Sequence, residues 1–155
     1  MLSINIPGRG ELVLSHLVLD YNGTIALDGQ VIPGIKVRLE KLSQDLEISV
    51  ITADTHGTAA KACEDLPLQV LTFPTTEVGK IKADHVRSLS GGVVTIGNGF
   101  NDIAMSDAAD LSLCVMAAEG CCGKLAAHCD ILLTSIEDAL DLLLIPNRLR
   151  ATLRT

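Results

Sequence analysis

Leu17-Val18-Leu19-Asp20-Tyr21-Asn22-Gly23-Thr24 is the stretch that decides the fold of this chain. An apolar run ends in an aspartate, and the small or polar residues after it let the backbone curl around the carboxylate. A short apolar run bounded by turn residues reads as a strand buried on both faces. Such a strand delivers Asp20 to the rim where the sheet meets solvent.

Outward from this point the chain alternates. Upstream, residues 2–6 and 11–19 flank Pro7-Gly8-Arg9-Gly10, which predicts a hairpin leading into the central strand. Downstream, Ile35, Leu39, Leu42 and Leu46 recur at helical spacing, and Ile48–Thr52 is a β-branched strand. A helix over His56–Asp65 follows, with Asp54 or Thr55 as its N-cap. Leu68–Phe73, Val93–Ile96, Leu111–Val115 and Ile131–Leu133 read as strands. Between and after them, Val78–Leu89, Phe100–Ala108, Glu119–Ala127 and a segment marked by Ile136, Ala139, Leu140 and Leu143 read as helices. The basic tail from Pro146 to Arg154 reads as a solvated last helix. This alternation predicts an α/β fold, a single Rossmann-like, doubly wound parallel sheet with an N-terminal β-hairpin. Residues 1–155 read as one domain, long enough for a proper core.

Composition narrows the function. Hydrophobic residues make up 48% but aromatics only 2%, which argues against base-stacking surfaces. A net charge of −7 opposes binding to a phosphate backbone, so nucleic acid is not an expected partner. No apolar run approaches a membrane span, and Met1-Leu2-Ser3-Ile4-Asn5 lacks the pattern of a signal peptide. The expectation is a cytoplasmic protein with no membrane partner. Cys63, Cys114, Cys121, Cys122 and Cys129 are odd in number and form no CxxC pair. Cys121, Cys122, His128 and Cys129 come nearest to a zinc-ligand set, but reduced thiols are the simpler reading.

Asp20, Thr52 and the loop from Gly97 to Asp102 each follow a strand. In an open α/β sheet they share the carboxyl edge, where ligands bind. With Ile51-Thr52-Ala53-Asp54, Gly79-Lys80-Ile81-Lys82 and Ile96-Gly97-Asn98-Gly99-Phe100-Asn101-Asp102, the Asp20 segment makes four stations in a fixed order. These resemble the four motifs of the haloacid dehalogenase superfamily, and more closely its soluble P-type-ATPase-like branch. The resemblance runs from about Leu12 to Leu143.

That resemblance implies a Mg²⁺-dependent phosphohydrolase acting on a phosphorylated substrate. Asp20 would be the nucleophile, forming an aspartyl-phosphate, with the Asn22 carbonyl as a metal ligand. Thr52, with Ala53 and Gly99, would bind the phosphoryl group, and Lys82, with Lys80 as competitor, would neutralise its charge. Asn98 and Asp102 would complete the Mg²⁺ site with Asp20 and Asn22. Asp54 resembles the acid of the ATPase Thr-Gly-Asp segment, and serves equally as a helix cap.

Two positions depart from the family. Asn22 stands where its phosphatases carry a general acid, and Asn98 replaces the first aspartate of Gly-Asp-Gly-x-Asn-Asp. An amide cannot transfer a proton, and general acid–base catalysis is worth ~10²–10⁴-fold. The expected enzyme is weak, biased to good leaving groups, and binds Mg²⁺ loosely. The two insertion points for a cap are nearly empty: Thr24–Pro33 fits only a hairpin turning at Asp28-Gly29, and Phe73–Glu77 fits nothing. An open site would need a homo-oligomer partner or a bulky substrate to exclude water, and the N-terminal hairpin is the candidate oligomer surface. The rival reading is a catalytically feeble regulatory or interaction module of the same superfamily. Asn22 and Asn98 favour it; Asp20, Thr52, Lys82 and Asp102 oppose it.

Overall fold

Every residue of His16–Asp20 is buried, which requires a strand covered on both faces. In the computed structural model, which describes residues 1–54, 57–73 and 76–155, this strand lies inside a six-stranded parallel sheet. In chain order the elements begin with β1 (Leu2–Ile6), β2 (Gly10–Leu14), β3 (His16–Asp20), β4 (Ala26–Leu27), β5 (Gln30–Val31) and α1 (Ile35–Leu42). Next come β6 (Glu47–Thr52), α2 (Thr58–Ala62), β7 (Gln69–Thr72), α3 (Val78–Ser88) and β8 (Val93–Gly97). A 3₁₀ turn (Phe100–Asp102) leads into α4 (Ile103–Ala108), β9 (Leu111–Val115), β10 (Ile131–Leu133), α5 (Ile136–Leu144) and α6 (Pro146–Leu153).

The strand order is β10-β9-β8-β3-β6-β7. The chain moves outward from β3 through β6 and β7, then returns to the other side of β3 for β8, β9 and β10. Strand order therefore reverses at β3/β8, the kind of switch point where open sheets form their crevice. Although the strands are mainly apolar, their faces divide. Val18 and Ile51 pack with Val86 of α3 and Met105 of α4, while Leu17, Leu19 and Val50 join the larger core with α1 and α5. Asp20 shares the parity of Val18, so it points toward α3.

Several elements depart from the sequence expectation. Residues 11–19 are two strands, because Ser15 and His16 both donate to Gly92 O and the chain changes partner there. The hairpin turns its apolar side chains Ile4, Ile6 and Leu14 into the main core. Its edge is held by Arg150 Nε, which donates to Asn5 O at 3.0 Å. That apolar face is thus spent within the molecule. α6 is no solvated tail, since Leu149 and Leu153 are buried.

α2 is shorter than the expected His56–Asp65 helix, and Thr55 and His56 lie outside the described residues. The expected Glu119–Ala127 helix shrinks to one 3₁₀ turn at Leu125–Ala127. Gly120 and Gly123 weaken helix there, and the Cys122 N–H is taken by Asn98 O at 2.8 Å. Between β3 and α1 the chain makes only the β4/β5 hairpin, and β7 is joined to α3 by residues 73–77, so neither span carries a cap domain.

Candidate active site

Sheet register brings the stations together. Asp20 lies opposite Ile51, whose neighbour is Thr52, and Leu19 lies opposite Ile96, whose neighbour is Gly97. Three adjacent strands thus end at one level. Around their carboxyl ends is a cavity of about 440 Å³, whose walls include Asp20, Asn22, Thr52, Ala53, Lys82, Asn98 and Gly99.

Lys82 rises into this cavity from α3, one turn before the core residue Val86, and is only 1% exposed. Its Nζ donates to Asp20 Oδ1 at 2.5 Å and to Asp102 Oδ1 at 2.6 Å. Lys80 points the other way and pairs with Asp84 on the exposed side of α3 at 2.7 Å. Geometry therefore separates the two lysines that sequence left in competition. Burial is the main cause that pushes the Asp20 carboxyl up to about 6. Asp102 adds to the rise, and Lys82 opposes it. Burial penalises the Lys82 ammonium, but Asp20 and Asp102 outweigh that and hold it protonated, above its ordinary range.

Asp102 does not sit as the sequence suggested. Its Oδ2 accepts from the Asn98 N–H at 3.0 Å and the Gly99 N–H at 2.8 Å, and its Oδ1 takes Lys82. With both oxygens engaged and no exposed surface, Asp102 fixes the lysine and the loop and presents no face to a metal. The same bond corrects Gly99: it lines the cavity, but its amide serves Asp102, not a phosphoryl oxygen. Gly97 makes the curl feasible, since a Cβ there would lie 2.6 Å from the Asp102 carboxyl carbon.

Thr52 is buried, and its Oγ1 accepts the Asp54 N–H at 3.2 Å, which leaves the hydroxyl proton to be donated. Asp54 works as a cap from outside the helix: its Oδ2 accepts from Thr58 Oγ1 and from the Ala59 N–H, both at 2.6 Å. Asn22 is exposed on the turn after β3. Asn98 is 8% exposed; its Oδ1 accepts from Thr24 Oγ1 at 3.3 Å and its Nδ2 donates to Gly120 O at 3.2 Å.

Sequence reading gave no role to two residues of the site. Thr24, fully buried, places its hydroxyl between Asp20 Oδ2, at 3.5 Å, and Asn98. Glu119 lines the cavity too. Its signal was present, an acid in the loop after an apolar strand, but it was absorbed into an expected helix. The thiols are all free, with Cys63 and Cys114 buried and the others partly exposed. Among the described residues no group of three or more His, Cys, Asp or Glu is arranged to hold a metal by itself. No helix among them is long and apolar enough to cross a membrane.

No family model matches the chain. Two relatives come from Methanocaldococcus jannaschii: the uncharacterized protein MJ0073, 48% identical over 62 residues (40% of this chain, 67% of that one), and the uncharacterized protein MJ0072, 49% identical over 39 residues (25% and 89%). Among solved structures, the cobalt-bound deoxy-D-mannose-octulosonate 8-phosphate phosphatase of Haemophilus influenzae superposes with a TM-score of 0.69 at 12% identity, covering 92% of this chain and 94% of that one. The corresponding phosphatase of Moraxella catarrhalis, in complex with magnesium, phosphate and KDO, gives 0.65 at 15% identity over 84% and 86%. A zinc-transporting PIB-type ATPase gives 0.63 at 20% identity, over 79% of this chain and 20% of that chain. The chain therefore belongs to one family with the two archaeal proteins, and its fold is that of the haloacid dehalogenase superfamily of hydrolases.

Proposed function

We propose that this protein is a phosphatase in which Asp20 attacks the phosphorus of a phosphorylated substrate with the help of Mg²⁺. The observation that carries this is the Asp20–Lys82–Asp102 cluster, a buried ammonium bonded to two carboxylates at the edge of the sheet. Buried charges this closely paired cost several kcal/mol of desolvation each, so stability alone is a poor reason for them. They suit a site that must hold one carboxylate oxygen steady beside an incoming anion.

The charge of the cavity argues for a divalent cation. Asp20, Asp54 and Glu119 line it, and Lys82 is the one cation among its described lining residues. A phosphate dianion would be repelled unless further positive charge came with it. The donors present are carboxylate, amide and carbonyl oxygens, which suit Mg²⁺, an ion that keeps several waters and takes only one or two carboxylates. Asp20, the Asn22 carbonyl and Asn98 would hold it. Bound there, Mg²⁺ would offset the charge of the phosphoryl oxygens.

The residues then divide the work. Lys82 orients Asp20 and faces the phosphoryl charge, and Thr52 donates its hydroxyl to a phosphoryl oxygen. An Asp20 oxygen bonds to phosphorus as the bond to the leaving group breaks. Water then attacks the aspartyl-phosphate, restoring the carboxylate and releasing phosphate. Asn22 has no proton to give, so the leaving oxygen departs as an anion and takes its proton from water. Aryl, acyl and anhydride phosphates should therefore be favoured over alkyl phosphates. Both solved phosphatases named above, one binding magnesium and phosphate, fit this reading.

The test is turnover of an aryl and an alkyl phosphate with Mg²⁺, beside Asp20→Asn and Asn22→Asp. Asp20→Asn should abolish activity, and Asn22→Asp should raise alkyl turnover by at least tenfold. Activity surviving in Asp20→Asn would defeat the nucleophile assignment. The Asn residues at 22 and 98 give a second reading its support, a superfamily fold kept for binding alone. Beryllofluoride with Mg²⁺ raising the melting temperature, in the absence of turnover on any phosphate tried, would favour it.

A further inference from the structure

Position 98 holds an amide where the related motif has an acid, and the loop after β9 brings an acid back. Residues 116–124 cross over the Gly97–Asp102 turn and are tied to it from both sides. Asn98 O accepts the Cys122 N–H at 2.8 Å, and Asn98 Nδ2 donates to Gly120 O at 3.2 Å. The Gly120 N–H closes on Ala117 O at 2.8 Å, so Glu119 rides on a tight turn at the mouth of the cavity.

The two side chains meet over Gly23. A Cβ at that position would lie 2.2 Å from Asn98 Nδ2 and 2.7 Å from Glu119 Oε2, and its φ of +82° already favours glycine. Position 23 is left bare where the amide and the carboxylate converge beside the Asp20 turn. The Asn98 amide has a direction too: its oxygen faces Thr24, which reaches Asp20, and its nitrogen faces the loop that carries Glu119. An aspartate at 98 has no N–H for Gly120 O and would set a second anion beside Glu119.

We infer that Glu119 supplies the divalent cation with the carboxylate that position 98 lacks, and that Asn98 positions the loop presenting it. This rests on the cation-assisted phosphatase reading above. It explains why the site tolerates an amide at 98: the charge has moved to a neighbouring loop and has not been lost. The ligand class is a hard divalent cation, Mg²⁺ or Mn²⁺, taken by carboxylate oxygen directly or through one of its waters.

Metal affinity of the full chain tests this without any substrate. Mg²⁺ would be titrated by calorimetry and by the rise in melting temperature, with Mn²⁺ counted by paramagnetic resonance. Glu119→Gln should weaken Mg²⁺ binding by about 10–100-fold, as loss of a metal-supporting carboxylate does, while the metal-free melting temperature stays at the wild-type value because Glu119 is exposed. Adding Asn98→Asp to Glu119→Gln should recover affinity, because the acid returns to its other place without the clash of two anions. Wild-type affinity in Glu119→Gln, with binding still lost in Asp20→Asn, would overturn the Glu119 assignment and leave the phosphatase reading standing. Failure of the double variant to recover would overturn the exchange between 98 and 119. Absence of Mg²⁺ binding in the wild type would overturn both readings.

Discussion

Lys82 shows how one residue can be costly and necessary at once. Its stem and ammonium are buried, so its charge is tolerable only because Asp20 and Asp102 accept hydrogen bonds from it. Lys82→Met would leave two buried carboxylates without the cation that both of them accept from. Breaking a buried ion pair from one side costs roughly 3–5 kcal/mol, because the remaining charge is stranded. Denaturant unfolding at neutral pH without metal should show that loss. Lys80→Met is the control: it removes an exposed i,i+4 pair with Asp84, worth little in water, and should leave the midpoint nearly unmoved. Equal effects from the two substitutions would contradict the placement of Lys82.

At the scale of elements, the capping of α5 gives a sharper test than its packing. Ser135 is extended, and its Oγ accepts the Asp138 N–H at 3.0 Å, while Glu137 and Asp138 place negative charge in the first turn. Ser135→Ala should cost about 1 kcal/mol, read as a lower denaturant midpoint with an unchanged slope. A Ser135→Asp variant should keep most of the stability, which distinguishes the cap from any other role of the residue. The Ser135 cap shows which parts of the fold were legible beforehand. α5 announced itself through Ile136, Ala139, Leu140 and Leu143 on one face, and β3, β6, β8 and β9 through short, mainly apolar runs, because local pattern and tertiary burial agree there. Residues 116–124 misled because their structure is set by distant partners. The Cys122 amide and the Gly120 carbonyl answer to Asn98, more than twenty residues earlier, which no helical period encodes. Asp102 misled for a related reason. Motif spacing gave its position, but only the fold shows that its two oxygens are used up by Lys82 and two amides.

For the molecule as a whole, the acidic site makes stability depend on pH and, with the proposed cation, on metal. Burial and Asp102 raise the Asp20 carboxyl from 3.8 to about 6, so between these values the folded protein holds a proton that the unfolded chain has released. Stability then falls as pH rises through this window, since the unfolded state binds fewer protons there. The contribution is complete below about pH 4 and gone above about pH 6. His85, lowered by burial and by His16, acts with the opposite sign: its contribution is present above 6.5 and is lost as pH falls below that value. Comparison with Asp20→Asn, which keeps His85 and cannot titrate at position 20, isolates the carboxylate. The unfolding free energy of the wild type minus that of Asp20→Asn, without metal, should decline from about pH 4 to about pH 6 and then level off. A flat or rising difference would show that Asp20 is not held in its protonated form. On the proposed reading Mg²⁺ would reverse the penalty, by binding the ionised carboxylate in competition with the proton. At a metal concentration of 100 times Kd the folded state gains about 2.7 kcal/mol. Chelation should therefore lower the melting temperature clearly at about pH 7.5 and hardly at all at about pH 5, where protonated Asp20 has already turned the ion away. A chelator effect that is the same at both pH values would mean that the cation binds somewhere other than beside Asp20.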